Sequence, residues 1–261
     1  MRRAHTLDLN QPRSVVEIFG AAFYLYRAYP LLFLVLAVAV VAPYDLLVLA
    51  LTGAGPLAHH AHRSFGEFVV LEVLSFSLVG PLISALHMHA VVLIGEADRP
   101  RLLAVAKRGL VVLPVVAATE IAANIGIGLG FVALFVPGLF LAVRWAVAAQ
   151  VAAVENQGWL GALGRSGQLG AGRYVEIFWL MVCGAILGFA LRFGAGLADF
   201  QATTESGSST GSAVVLGIAV NTIVASLVAL VLAILYFDLR ARQTELARKP
   251  PRAYEHLRDL D

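Results

Sequence analysis

The stretch Val136-Pro137-Gly138-Leu139-Phe140-Leu141-Ala142-Val143-Arg144-Trp145 places one arginine inside an apolar run that Pro-Gly has just interrupted. Read outward, the run continues to Val154 on one side, and Leu110 to Phe135 precedes it on the other with a turn of only a few residues between. Two apolar segments so closely joined form a helical hairpin, because a bilayer-spanning helix needs about 20 apolar residues. An arginine at that depth needs a partner or water.

The whole chain has the same character. Of 261 residues 59% are hydrophobic and only 14% charged, far more apolar surface than one soluble core absorbs, and the excess falls in long blocks. Those blocks lack the alternation and short spacing of barrel strands. The expected fold class is therefore all-α: a polytopic integral membrane protein with six transmembrane helices and amphipathic helices at the cytoplasmic interface. A net charge of +2 gives no reason to expect nucleic acid as a partner. Cys183, the single cysteine, falls in a span and excludes an intramolecular disulfide or a cysteine metal set.

In chain order, residues 1–13 are a polar cytoplasmic tail, too far from the first apolar run to be the head of a signal peptide. Ser14 to Tyr29 reads as an amphipathic helix with Val15, Ile18, Phe19, Ala22, Phe23 and Tyr26 on one stripe, lying flat in the interface and ended by Pro30. The spans follow at 31–52 (interrupted at Pro43-Tyr44-Asp45), 67–94 (kinked at Gly80-Pro81), 110–135, 137–154, 174–198 and 213–237. Glu96 to Arg108 is an interfacial basic segment, and between the fourth and fifth spans lies a third, Asn156 to Gly172, with Trp159, Leu160 and Leu163 at helical spacing. Asp199 to Ser212 is an outer loop, and 239–261 a basic cytoplasmic tail that serves as a stop signal or binds anionic lipid.

Basic residues set the orientation. Arg2, Arg3 and Arg13 precede the first span; Arg99, Arg101, Lys107 and Arg108 separate the second from the third; Arg165 and Arg173 separate the fourth from the fifth. Six more follow Asp238, against Arg63 alone in the three opposite loops. Both termini are thus expected in the cytoplasm. Arg27-Ala28-Tyr29-Pro30, Lys107-Arg108-Gly109-Leu110 and Arg173-Tyr174-Val175 suggest three hairpins, each with a basic foot; basic ends common to any multi-span protein explain them equally well.

Phe23-Tyr24-Leu25-Tyr26-Arg27, the Pro137 to Trp145 stretch, Ala162-Leu163-Gly164-Arg165-Ser166 with Gly172-Arg173, and Tyr236-Phe237-Asp238-Leu239-Arg240-Ala241-Arg242 carry a resemblance covering nearly the whole chain. Together they resemble the bacterial six-span proteins named after the membrane domain of glycerophosphoryl diester phosphodiesterases, and the YciC-like membrane proteins. The resemblance implies an inner-membrane helical domain of undefined activity, sometimes fused to a soluble phosphodiesterase. A chain ending at Asp261 is expected to leave no room for that catalytic barrel. His62-Arg63-Ser64-Phe65-Gly66-Glu67 only superficially matches the start of such active sites, which need further carboxylates and a metal.

What chemistry remains lies within the membrane. Counting about 1.5 Å per residue from each boundary puts Glu120 roughly 16 Å, Asp45 about 21 Å and Arg144 about 20 Å from the cytoplasmic edge. Glu72, Arg192, Asn124 and Asn221 fall near the same layer. Two readings stand. Arg144 pairs with Glu120 or Asp45 and clasps the third and fourth spans to the first, offsetting charges that each cost about 2.5 kcal/mol or more on insertion scales. Alternatively the layer lines a polar cavity for an ion, a proton relay or a lipid headgroup.

The other motifs are weaker. His59, His60 and His62 lack distal partners for a metal site, and His87 and His89 point to different helix faces. Gly126, Gly128 and Gly130 follow no strand, so close helix packing explains them better than a nucleotide. Gly184 and Gly188 offer another close helix contact. The expected protein is non-catalytic, needs no cofactor, and has membrane lipids and other membrane proteins as partners. The alternative is a small transporter or lipid-handling protein using the layer around Arg144.

Overall fold

The computed structural model describes residues 9, 11–53, 56, 65–96, 101–206 and 210–248. Among them every regular element is a helix, and six helical segments are long and apolar enough to cross a membrane: Pro30–Thr52, Val69–Gly95, Leu102–Ala133, Phe135–Val154, Tyr174–Leu197 and Gly211–Ala247. The chain is a multi-pass, all-α membrane protein. Its helices are α1 (Val15–Ala28), α2 (Pro30–Thr52), α3 (Phe65–Leu74), α4 (Gly80–Gly95), α5 (Leu102–Ala133), α6 (Phe135–Arg144), α7 (Ala148–Val154), α8 (Gly158–Leu169), α9 (Tyr174–Ser206) and α10 (Thr210–Arg248).

α1 starts on a capping box. The Ser14 side chain accepts from Glu17 N, while Ser14 N donates to Glu17 Oε2 at 2.7 Å, so two orphan amides are satisfied reciprocally. The buried face of this helix departs in part from the expected stripe. Ile18, Ala21, Ala22 and Leu25 are buried in the main core, where α1 packs against α10 and the start of α9. Phe23, on the expected stripe, is instead exposed.

α2 runs unbroken through Pro43, which corrects the expected interruption. The expected kink at Gly80-Pro81 takes a specific form: a π-helical turn over Ser75–Val79, in which Gly80 N–H reaches Ser75 O. Pro81 has no N–H to continue the ordinary ladder, and the extra residue is absorbed just before it. α5 begins at Leu102, well before the expected boundary, and Gly109 lets α4 approach it; a Cβ there would lie 2.8 Å from Leu86 Cδ2. The expected foot before the third span is therefore part of one continuous helix, leaving two separate feet, α1 and α8.

α5 and α6 pack closely where both present glycine. A Cβ on Gly130 would lie 2.8 Å from Gly138 Cα, and one on Gly126 would strike the Trp145 ring at 2.6 Å. The fourth span is not one rod, since Trp145–Val147 forms a turn between α6 and α7. Helix also persists into the expected outer loop as far as Ser206, and through the start of the expected tail as far as Arg248.

Polar contacts hold that last extension. Arg242 Nε donates to both carboxylate oxygens of buried Asp238 at 3.1 and 3.0 Å. Asp238 also accepts Arg13 N at 2.5 Å, and Arg242 Nη2 donates to Arg13 O at 2.6 Å. Nearby, Glu155 accepts from Tyr236 Oη at 2.9 Å and Arg165 Nε at 3.1 Å, while Gln243 joins Arg165 to Gln168 O. These bonds tie α1, α8 and α10 together at one end of the bundle, which we call the basic face.

Candidate functional site

The expected polar layer resolves into separate places. Asp45 on α2 is 5% exposed, and its Oδ2 accepts from Asn221 Nδ2 on α10 at 3.1 Å. Asn221 Oδ1 in turn accepts from Arg192 Nε on α9 at 3.1 Å. One amide thus spans a carboxylate and a guanidinium, using a donor on one side and an acceptor on the other. These three of the seven expected residues come together.

Glu120 lies elsewhere. Its Oε1 accepts from Ser84 Oγ at 2.8 Å, and its Oε2 occupies the space a Cβ on Gly80 would need, 2.6 Å away. No cation pairs with it among the described residues. The carboxyl is seated against the helix just past the π-turn, where glycine alone leaves room. Glu72 and Asn124 are partly buried and join neither group.

Arg144 is corrected most. It pairs with neither Glu120 nor Asp45, since the turn after α6 brings it to α8 and the start of α9 instead. Its Nη1 donates to Tyr174 Oη at 3.3 Å, and Tyr174 Oη donates to Gly167 O at 3.1 Å. The guanidinium rests on Gly167, where a Cβ would meet Cζ at 2.9 Å. Ser166 Oγ donates to Arg144 O at 3.1 Å. As a cation in the last turn of α6, Arg144 also meets the negative end of that helix. It therefore joins α6, α8 and α9 rather than spans one, three and four. Equal depth could not reveal this, because depth says nothing about the side of a helix on which a residue lies.

A surface feature had no sequence signal strong enough to single it out. α1, α9 and α10 enclose a lateral groove of about 280 Å³, lined almost wholly by apolar side chains. Gly184 and Gly188 form part of its α9 wall, and Arg192 is its only charged lining residue. The groove opens sideways, since Phe23, Leu191 and Val228 on its rim are 44%, 38% and 41% exposed. Gly188 was expected to make a close helix contact, and it does: a Cβ there would lie 3.2 Å from Val224 Cγ1 and 3.3 Å from Arg192 Nη1. Gly188 thins α9 against α10 beside the arginine, while Gly184, where a Cβ would meet only Phe19 Cζ at 4.0 Å, leaves room for the groove.

The histidines divide as expected. His87 is fully buried between Ile83 O and Ser226 Oγ, each 2.9 Å away, and stacks on Phe33, so it is a core residue. His89 turns elsewhere, and its Nε2 has no hydrogen-bond partner among the described residues. His59, His60 and His62 lie outside the described residues. No cluster of three metal-binding side chains occurs among the described residues. Gln150, 1% exposed, has neither amide atom hydrogen-bonded among the described residues.

Comparison of the chain with protein-family models, with curated proteins and with solved structures finds no match.

Proposed function

We propose that this chain is a non-catalytic integral protein of the bacterial inner membrane whose interaction partner is lipid, held laterally in the α1–α9–α10 groove. The groove itself carries this reading. It opens sideways between two membrane-spanning helices, and its walls are apolar. In a bilayer the medium that meets such a surface is acyl chain, since water cannot satisfy or be satisfied there. Its volume lies just under the small-ligand range of about 300–1,000 Å³, which suits one chain better than a whole two-chain lipid. Orientation with both termini cytoplasmic is supported by the gathering of Arg13, Arg165, Arg173 and Arg242 at the basic face. The resemblance to six-span phosphodiesterase membrane domains agrees with a bilayer role but specifies no chemistry.

The transport alternative drew on a layer around Arg144, and Arg144 stands apart from the acids that layer required. A lipid-holding role needs no such layer. The direct test is native mass spectrometry of the full chain purified in mild detergent, comparing wild type with Gly184→Leu, which fills the groove at a position where a Cβ meets nothing nearer than Phe19 Cζ at 4.0 Å. Retained lipid should fall several-fold in the variant while the helical circular dichroism spectrum is unchanged. Equal lipid retention in a folded variant would refute the reading.

A further inference from the structure

The end of the groove carries a second message. Arg192 is bonded through Nε to Asn221, yet its Nη groups have no hydrogen-bond partner among the described residues. An arginine fork with its far edge unused is suited to bidentate contact with phosphate. The direction of the side chain matters as much as its charge. A helical side chain leans back over the turn preceding it, and Nη1 lies close above Gly188, which itself lines the groove. The free edge therefore faces the groove and not the far end of α9. Asn221 fixes the inner edge of the guanidinium, and Asp45 fixes Asn221.

Distances agree with a lipid. Arg192 stands 18 residues beyond Tyr174, about 27 Å along α9, close to the far side of a hydrocarbon core about 30 Å thick. From Arg192 down to Leu180 the groove follows α9 for about 18 Å, roughly the depth of one leaflet. Phe19 and Phe23 of α1 line it on the side facing α9 and α10. A charged group at the top and an apolar channel of leaflet depth below it match one phosphate and one chain of the same molecule.

Building on the lipid reading above, we infer that Arg192 is a headgroup anchor and that the groove takes a phosphate-bearing glycerolipid from the leaflet opposite the basic face. Asn221 and Asp45 are positioning residues that orient the anchor. The class of lipid follows from the donor: a diacylglycerol has the chain but offers no anion to the fork.

The test titrates the full chain in detergent with phosphatidylglycerol and with diacylglycerol of identical chains, read by native mass spectrometry. Wild type should prefer phosphatidylglycerol by about tenfold or more, the value of one charge-assisted contact. Arg192→Gln should abolish that preference while leaving diacylglycerol binding in place. If Arg192→Gln folds poorly because Asp45 is left without its cation, Asp45→Asn with Arg192→Gln removes both charges together and should give the same loss of preference. An undiminished preference in either folded variant overturns the anchor, though diacylglycerol retention sensitive to Gly184→Leu would keep the lipid reading standing. Loss of both lipids in equal measure would also overturn it, since the arginine would then be shaping the groove and not reading phosphate.

Discussion

Asp45 and Arg192 meet through Asn221 and not face to face: the amide donates to one at 3.1 Å and accepts from the other at 3.1 Å. Three helices, α2, α10 and α9, are thereby joined by two hydrogen bonds that a direct ion pair would have reduced to a contact between two. Among the described residues the arrangement also leaves the outer edge of the guanidinium unclaimed.

Removing the bridge should cost more than removing one charge. Asn221→Leu leaves a carboxylate that is 5% exposed without its donor, with an expected loss of about 1–2 kcal/mol. Adding Asp45→Asn should recover part of it. Thermal unfolding of the detergent-purified protein reads both, and an unchanged midpoint in Asn221→Leu would show that the bridge contributes nothing.

Arg144 and Glu120 should behave as strangers. They share no contact, so a double-mutant cycle of Arg144→Ala and Glu120→Ala should give a coupling energy below about 0.5 kcal/mol. Arg144→Ala alone should lower stability by loosening α6 from Tyr174 and α8. A coupling well above 1 kcal/mol would restore the clasp that the sequence suggested.

Gln150 should be improvable. Its buried amide has no partner at either end among the described residues, so it carries an uncompensated desolvation cost. Gln150→Leu, similar in size, is expected to stabilise by about 1 kcal/mol in the same thermal assay. A comparable destabilisation would mean that the amide does have a binding partner.

Acid should loosen the start of α1. Hydrogen bonding from the Ser14 backbone, and then from its hydroxyl, holds the Glu17 carboxyl below its ordinary value of 4.5. A carboxyl lowered in the folded state contributes stability that is present above its unfolded value and is lost as pH falls through its folded one. Amide-exchange protection in the first turn of α1 should therefore decline as pH drops below 4.5. Glu17→Gln should flatten that dependence, and an unchanged profile in the variant would assign it to another group.

Much of the fold was legible because transmembrane helices announce themselves by length and composition: the six apolar runs became six spans, and Gly126 and Gly130 became close helix contacts. Asp45, Asn221 and Arg192 were legible as a layer because each lies within one continuous helix, along which residue counting estimates depth. Arg144 was not, since a three-residue turn at Trp145–Val147 redirects the chain, and no Gly or Pro inside that turn marks it. The extension of α10 could have been read from Asp238 and Arg242, four apart on one helix face. Likewise Ser14 and Glu17 spell a capping box. The groove was hidden for another reason. It arises from where α9 fails to close on α10, a property of packing and not of any segment.

The lipid-holding claim is tested most directly by photo-crosslinking. A benzoylphenylalanine placed at Val228, on the rim of the groove, and at Ile186, exposed on α9 outside it, samples lipid in two settings. After exhaustive detergent washing and then illumination, the Val228 position should still yield a protein–lipid adduct and the Ile186 position should not. Equal loss of adduct at both positions would show that the groove holds lipid no better than any other part of the surface, and would contradict the account.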